Sequence, residues 1–383
     1  MRAFEFRLTE ATPPLTGAWK HAPVAPRGES MLGISFRPLQ AEAFGLDLPS
    51  TLNMLLEYPF ELIRLGAYWN RMEPEPGAFL PDELDWQIEA AEGAGKKVIL
   101  CLGPIKTFGY PEYFVPAHHL SQPFPEHTRI TPSAYPALMD AATAHIARLV
   151  ERYGRRESIV AWQLEHEAVD PLGIEHSWRL DAEWVRREVE ALRQADPARP
   201  IMMNGFLPTT LPVRLSQGWS TRDQGDSLDV ARGLADIVGI DYYPRTALAS
   251  FGSRTLYLDG TESRTQEKRL EKLQTWARAG HHRLMVSEGQ AEPWETATTP
   301  PSPGGRSMYS CPPDSLITNY NRWLGPDWDG PSLHAYLFWG AEYWIHRLQG
   351  RDSSYLDAFA RVLEESIREH ADHPMERAVA ASA

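Results

Sequence analysis

IVAWQLEHEAVDP, residues 159–171, is an apolar run that ends on two acids, Glu165 and Glu167, before Pro171 breaks the chain. With almost no polar alternation in its first half, it reads as a parallel strand covered on both faces. In an α/β barrel, the C-terminal end of a strand is where side chains reach the active face. RLMVSEGQAEPW, residues 283–294, repeats the arrangement with Glu288 at the strand end and Gln290, Glu292 and Trp294 behind it.

Six further runs of the same kind flank these two: MLGISF (31–36), ELIRLGAYW (61–69), KKVILCLG (96–103), RPIMMNGF (199–206), ADIVGIDYY (235–243) and LHAYLFWG (333–340). Helical stripes lie between them. Residues 134–152 put Leu138, Ala142, Ile146, Leu149 and Val150 on one face and stop at Tyr153-Gly154. Residues 181–195 do the same with Trp184, Val185, Val189 and Leu192, residues 265–279 with Leu270, Leu273 and Trp276, and residues 353–368 with Leu356, Phe359, Val362, Leu363 and Ile367. Eight strand–helix units in sequence predict an α/β fold, a (β/α)8 TIM barrel in one domain. Long, aromatic, Pro-rich segments follow the third strand (103–133) and the seventh (291–330). Residues 1–30 read as an N-terminal extension packing on the barrel, 31–369 as the catalytic barrel and 370–383 as a C-terminal tail.

Composition narrows the function. A formal charge of −13 leaves no basic stripe for a phosphate backbone, so no nucleic-acid partner is expected. No apolar stretch is long enough for a membrane span, and MRAFEFRLTEATPP lacks the uninterrupted core of a signal peptide. The two cysteines, Cys101 in a strand and Cys311 in a loop, make no metal pattern and fit a reducing, cytoplasmic compartment. His118 and His119 are adjacent with no spaced carboxylate in view, so they read as loop histidines; no metal and no cofactor are expected. An aromatic-rich barrel keeps leftover apolar patches, which leaves a homo-oligomer open.

The company of the two acids points to sugar. Sugars present flat C–H faces and hydroxyl edges, which aromatic platforms and amide side chains recognise. Trp162 and Gln163 precede Glu167, Gln290 and Trp294 follow Glu288, and the eighth strand ends on Trp339. Two carboxylates flanking a glycosidic bond are the usual means of cleaving it.

On these residues the chain resembles the clan A glycoside hydrolases, a large set of retaining (β/α)8 enzymes. IRLGAYWNRMEPEPGAF is similar to their second-strand "R…WxxxEPxPGxF" stretch, WQLEHE to their fourth-strand "WQxxNE" and VSEGQAEPW to their seventh-strand motif. The resemblance implies Glu167 as acid/base and Glu288 as nucleophile. It implies that Arg64 and Tyr243 support the nucleophile and that Trp339 floors the subsite of the reacting sugar. A nearby guanidinium would lower the nucleophile's pKa, and the nucleophile's charge would raise that of the acid. Retention puts the two carboxyls about 5–5.5 Å apart.

Glu165 competes for the acid role, because strand neighbours two apart point the same way. His166 is a departure: the clan usually has Asn there, bonding the sugar's 2-hydroxyl, although one of its β-mannanase families has His-Glu. His166, Trp69, Gln163, Asn204, Glu292 and Trp294 are candidate substrate contacts. Tyr110, Glu112 and Tyr113 read mainly as loop packing, Glu73 as structural, and Glu342, Tyr343 and Trp344 as site neighbours. The function implied is a retaining O-glycoside hydrolase that cleaves a β-linked neutral sugar through a covalent glycosyl-enzyme. A transglycosylase sharing that intermediate and a catalytically silent carbohydrate-binding barrel are the alternatives. A silent binder has no need of Arg64 and Tyr243 beside the nucleophile.

Overall fold

The computed structural model describes residues 6–10, 17–170, 176–251, 254–261, 263, 265–280, 282–293, 309–325 and 333–367. Eight parallel strands close into a barrel: β1 Met31–Ser35, β2 Leu62–Gly66, β3 Lys97–Cys101, β4 Ile159–Gln163, β5 Ile201–Phe206, β6 Ile237–Tyr242, β7 Arg283–Gln290 and β8 Ala335–Trp339. Each lies within one of the eight apolar runs. The ring is sealed where Ala335 to Phe338 of β8 pair with Met31 to Ile34 of β1.

One principal helix follows each strand: α1 Leu48–Leu56, α2 Asp82–Gly93, α3 Pro136–Tyr153, α4 Ala182–Ala195, α5 Ser227–Leu234, α6 Glu267–Gly280, α7 Pro313–Leu324 and α8 Ser354–Glu365. Asp181 and Asp226 begin α4 and α5 by accepting the backbone N–H groups of Glu183 and Asp229. The apolar stripes face the barrel as expected, with one correction at the end. α8 stops at Glu365, and Ile367, assigned to its stripe, is 63% exposed.

Inside the barrel, strand alternation sorts the side chains by height. Leu62, Ile99, Ala161, Met202, Ile237, Met285, Ala335 and Leu337 form an apolar plug. Higher on the same faces stand the buried polar groups Arg64, Gln163, Asn204, Asp241 and Ser287. The plug makes the barrel a packed core, and the polar layer is the floor on which the site rests.

The loop from β3 to α3 spans 102–135 and is tied to the loop after β4 by a two-residue ladder, Arg129–Ile130 on Arg179–Leu180. In the N-terminal segment, Ala25 N–H donates to Asn321 Oδ1 and Tyr320 donates to Ala25 O, so this stretch packs along α7. A three-stranded antiparallel sheet of Phe6–Glu10, Arg254–Asp259 and Arg245–Phe251 sits beyond β6. No strand was expected in any of those three segments. Residues 370–383 and most of the segment after β7 lie outside the described residues.

Candidate active site

Strict alternation on β7 would turn Met285 and Ser287 inward and Glu288 outward. A bulge prevents that. Val286 pairs with Ile240 of β6, but Glu288 pairs with the very next residue, Asp241, so β7 carries one extra residue. Both Ser287 and Glu288 then face the interior: Ser287 donates to Asp241 Oδ1 at 2.7 Å, and Glu288 meets Arg64 and Tyr243. Arg64 Nη1 donates to Glu288 Oε1 at 2.7 Å and the Tyr243 hydroxyl to Oε2 at 2.6 Å.

The acids of β4 are held by a different device. Glu165 and Glu167 have φ of 40° and 45°, a left-handed conformation costly for non-glycine residues. Lys106, from the loop after β3, fastens this turn. Its carbonyl accepts the His166 N–H at 2.9 Å, and its Nζ donates to the Glu167 carbonyl at 3.0 Å. The two loops touch so closely at Gly103 that a Cβ there would lie 2.5 Å from the Glu165 nitrogen.

The turn sends its two carboxyls in opposite directions. Glu165 accepts the backbone N–H groups of Ile105 (3.1 Å) and Lys106 (2.5 Å) and bonds Glu188 of α4, itself held by the Trp184 indole at 2.8 Å. Glu167 instead lines a cavity of about 230 Å³ together with Glu288, His166, Tyr243, Glu292 and Trp339. Of the two, Glu167 is the one that lines the cavity.

The electrostatics separate the pair. Burial pushes the Glu288 carboxyl up, while the Arg64 guanidinium and the Tyr243 hydroxyl pull it back. The expected net lowering is therefore not found, because Glu288 is 2% exposed and desolvation outweighs the cation. Glu167 lies well above the usual carboxylate range: burial raises it first, and the charges of Asp241, Asp170 and Glu288 add to it, with Lys106 opposing. Of the two, Glu167 keeps its proton longer.

A family model described as beta-galactosidase, glycoside hydrolase family 42, matches residues 48–177. The β-galactosidase BglY of Alicyclobacillus acidocaldarius is 25% identical over 189 residues, covering 45% of this chain and 26% of that protein, so the match spans about a quarter of the relative's length. The GH5_18 protein of Streptomyces cattleya, solved with GlcNAc, superposes with a TM-score of 0.56 at 15% identity, over 89% of this chain and 82% of that one. Xylanase 10B of Thermotoga petrophila gives 0.53 at 14%, over 91% and 99%. A β-galactosidase of the haloarchaeon Halorubrum lacusprofundi gives 0.52 at 15%, over 90% and 59%.

The chain shares the fold of these glycoside hydrolase barrels and resembles one of their families over residues 48–177.

In this barrel the expected site residues fall into three groups. Glu167, Glu288, Tyr243, His166, Trp339 and Glu292 line the cavity. Arg64, Gln163 and Asn204 lie one layer beneath it, completely buried or nearly so. The amide group of Asn204 donates to His166 Nδ1 at 2.9 Å and to Asp241 Oδ2 at 2.5 Å, and its oxygen accepts from Gln163 at 3.0 Å. Direct sugar contact by Asn204 and Gln163 is thereby corrected: their polar atoms are used below the cavity. Trp69 is the clearest miss. It is fully buried between His119 and His145, with its indole N–H on Glu73 at 2.9 Å, and forms no wall of the cavity. Trp294 lies outside the described residues.

Two important residues escaped the sequence reading. Arg37, two positions past β1, is clamped between Glu292 and Glu342 by four side-chain bonds of 2.6–3.0 Å and stacks 4.4 Å over Trp339. It fixes that ring as the cavity's aromatic surface and engages Glu292, the candidate substrate contact, from a neighbouring loop. Asp241 joins Asn204 and Ser287 in the layer beneath Glu167 and bonds Glu167 as well. GIDYYP contained it, but only Tyr243 had a recognisable role. Tyr110 and Glu112, expected mainly as loop packing, line the cavity too. The expectation that His118 and His119 lack a third partner also fails, since Glu73 Oε1 stands 3.1 and 3.2 Å from their Nε2 atoms. Among the described residues, no helix is long and apolar enough to cross a membrane.

Proposed function

We propose that the protein is a retaining β-glycosidase acting on neutral sugars, with Glu288 as nucleophile and Glu167 as acid/base. The observation that carries this reading is the inequality of two buried carboxyls on one cavity. Glu288 receives a guanidinium and a phenol donor, which suits an anion. Glu167 faces other carboxylates, which suits an acid that holds its proton.

In the first step Glu288 attacks the anomeric carbon as the bond to the leaving oxygen breaks, and that oxygen takes the Glu167 proton. The product is a glycosyl ester on Glu288, with Glu167 ionised. In the second step Glu167 takes a proton from water, the oxygen of that water bonds to the anomeric carbon, and the ester breaks to restore Glu288. Trp339 offers a face for the sugar ring, and His166 a polar contact beside the anomeric centre.

β-Galactosides are the first substrates to test, because both the family model and the sequence relative carry that activity in their descriptions. A reducing, cytoplasmic setting is part of the proposal: Cys101 and Cys311 are both buried thiols rather than a disulfide. The test is turnover of aryl β-galactoside, β-glucoside and β-mannoside by Glu167→Ala with and without azide. If the roles are right, azide restores release of the activated leaving group and yields a β-glycosyl azide. An α-azide, or full activity without azide, would remove Glu167 from the acid/base role.

A further inference from the structure

Away from the cavity, the loops after β2 and β3 meet at a three-residue cluster that the glycosidase chemistry leaves unused. Glu73 ends the short helix Trp69–Met72, and His118 and His119 close the 3-10 turn Ala117–His119. Side chains of adjacent residues ordinarily diverge. Here both imidazoles turn their Nε2 atoms to the same oxygen, Glu73 Oε1, at 3.1 and 3.2 Å, and their rings approach to 4.4 Å. All three ligand atoms lie within 4.8 Å of one another.

We infer that Glu73, His118 and His119 form a binding site for one divalent transition-metal ion of the zinc type, which pins the loop after β3 to the loop after β2. The spacing fits. Bonds of about 2.0–2.2 Å from a tetrahedral ion to nitrogen and oxygen set its ligand atoms about 3.3–3.5 Å apart, close to the two N···O separations. The ligand type fits too, since imidazole with a carboxylate suits zinc better than it suits calcium or magnesium. Trp69 supplies outer support: its indole N–H holds Glu73 Oε2 at 2.9 Å and leaves Oε1 turned to the histidines. The three side chains are 12–21% exposed, so an ion can enter from solvent and keep a water as fourth ligand.

The consequence is structural. The loop after β3 contributes Gly109, Tyr110 and Glu112 to the cavity wall, and one of its ties to the loop after β2 is the bond from Asn70 N–H to Phe114 O at 2.8 Å. A metal clip at His118 and His119 fastens the same loop a few residues later. Among the described residues, the other close trio of possible ligands, His166, Glu167 and Asp241, belongs to the site already described.

The test uses the full chain stripped with a chelator and titrated with zinc alone, then with cobalt(II). We expect one zinc per chain by calorimetry and metal analysis, a higher thermal midpoint with zinc, and the intense visible bands of four-coordinate cobalt. His118→Ala and His119→Gln should each weaken zinc binding by more than the roughly 10–100-fold typical of losing an outer-shell partner. The inference is overturned if the unmodified chain takes up no stoichiometric zinc, or if both variants bind it unchanged. The cobalt spectrum of the unmodified chain reports on the ligands even where a variant does not fold, and none of these readouts involves glycoside turnover.

Discussion

The side-chain amide of Asn204 donates to Nδ1 of His166 at 2.9 Å, and this bond fixes where the imidazole carries its proton. The polarity is inherited from Arg64, whose Nε–H can only donate. Gln163 Oε1 accepts it at 2.7 Å, so the Gln163 NH2 must donate to Asn204 Oδ1, and the Asn204 NH2 must donate to His166 and Asp241. Burial, with Arg64 and Lys106 nearby, holds His166 well below the usual imidazole range, so the ring is neutral. Its proton is therefore on Nε2, and the ring lines the cavity as a donor.

A donor at this place predicts a substrate-dependent effect. His166→Ala should lower kcat/KM for an aryl glycoside by about 10–100-fold, the cost of losing one buried hydrogen bond that strengthens in the transition state. The matching 2-deoxyglycoside lacks the accepting hydroxyl and should lose far less. Equal losses on the two substrates would show that His166 acts through packing.

Tyr243→Phe removes one of the two donors to Glu288 while keeping the ring. Burial then meets less opposition, so the nucleophile's pKa rises further. Because Glu288, as the proposed nucleophile, must be ionised to attack, the acid limb of kcat/KM against pH should move to higher pH. An acid limb that stays in place would contradict this account of the phenol.

In the proposed mechanism the alkaline limb belongs to Glu167, which must be protonated for the first step. Burial is the largest cause of its raised pKa, and the Asp241 charge is the next. Asp241→Asn can still bond both Asn204 and Ser287, so it removes charge with little loss of packing. The alkaline limb should move to lower pH, and a shift in the opposite direction would exclude Asp241 as a neighbour that keeps the acid protonated.

The barrel was readable because each strand has to be apolar on both faces, which leaves a continuous run such as KVILC or IVAWQ. The helical stripes were readable for the matching reason, one face of each being buried against those strands. The site was only partly readable, because its decisive relationships are not local. Arg37 finds its partners 255 and 305 positions away. Glu288 faces inward because of a bulge that no residue type announces. Glu165 and Glu167 share a spacing that would send both the same way on a strand, yet β4 ends at Gln163 and the left-handed turn after it separates them. Trp69 looked like a sugar platform because aromatic character is visible in sequence and burial is not.

Glu165 and Glu188 offer a test of stability apart from activity. Burial pushes Glu165 up to about 7 and Glu188 well above its ordinary value, so the folded chain retains a proton between them that the unfolded chain gives up. With folded pKa values raised, the contribution is complete below the unfolded value near 4.5 and is lost as pH climbs through about 7. Glu188→Gln keeps a donor to Glu165 and removes the second titrating group. Its thermal midpoint, relative to the unmodified chain, should therefore be more favourable at pH 8 than at pH 5, and a difference independent of pH would contradict the shared proton.

The assignment of Glu288 as nucleophile rests on a covalent intermediate, which can be trapped. Activated 2-deoxy-2-fluoro β-glycosides of the galacto, gluco and manno series should inactivate the protein in the series it accepts. Peptide mapping by mass spectrometry should then find one glycosyl adduct, on Glu288. An adduct on Glu165 or Glu167, or rapid turnover of the parent glycoside with no adduct on any carboxylate, would contradict it.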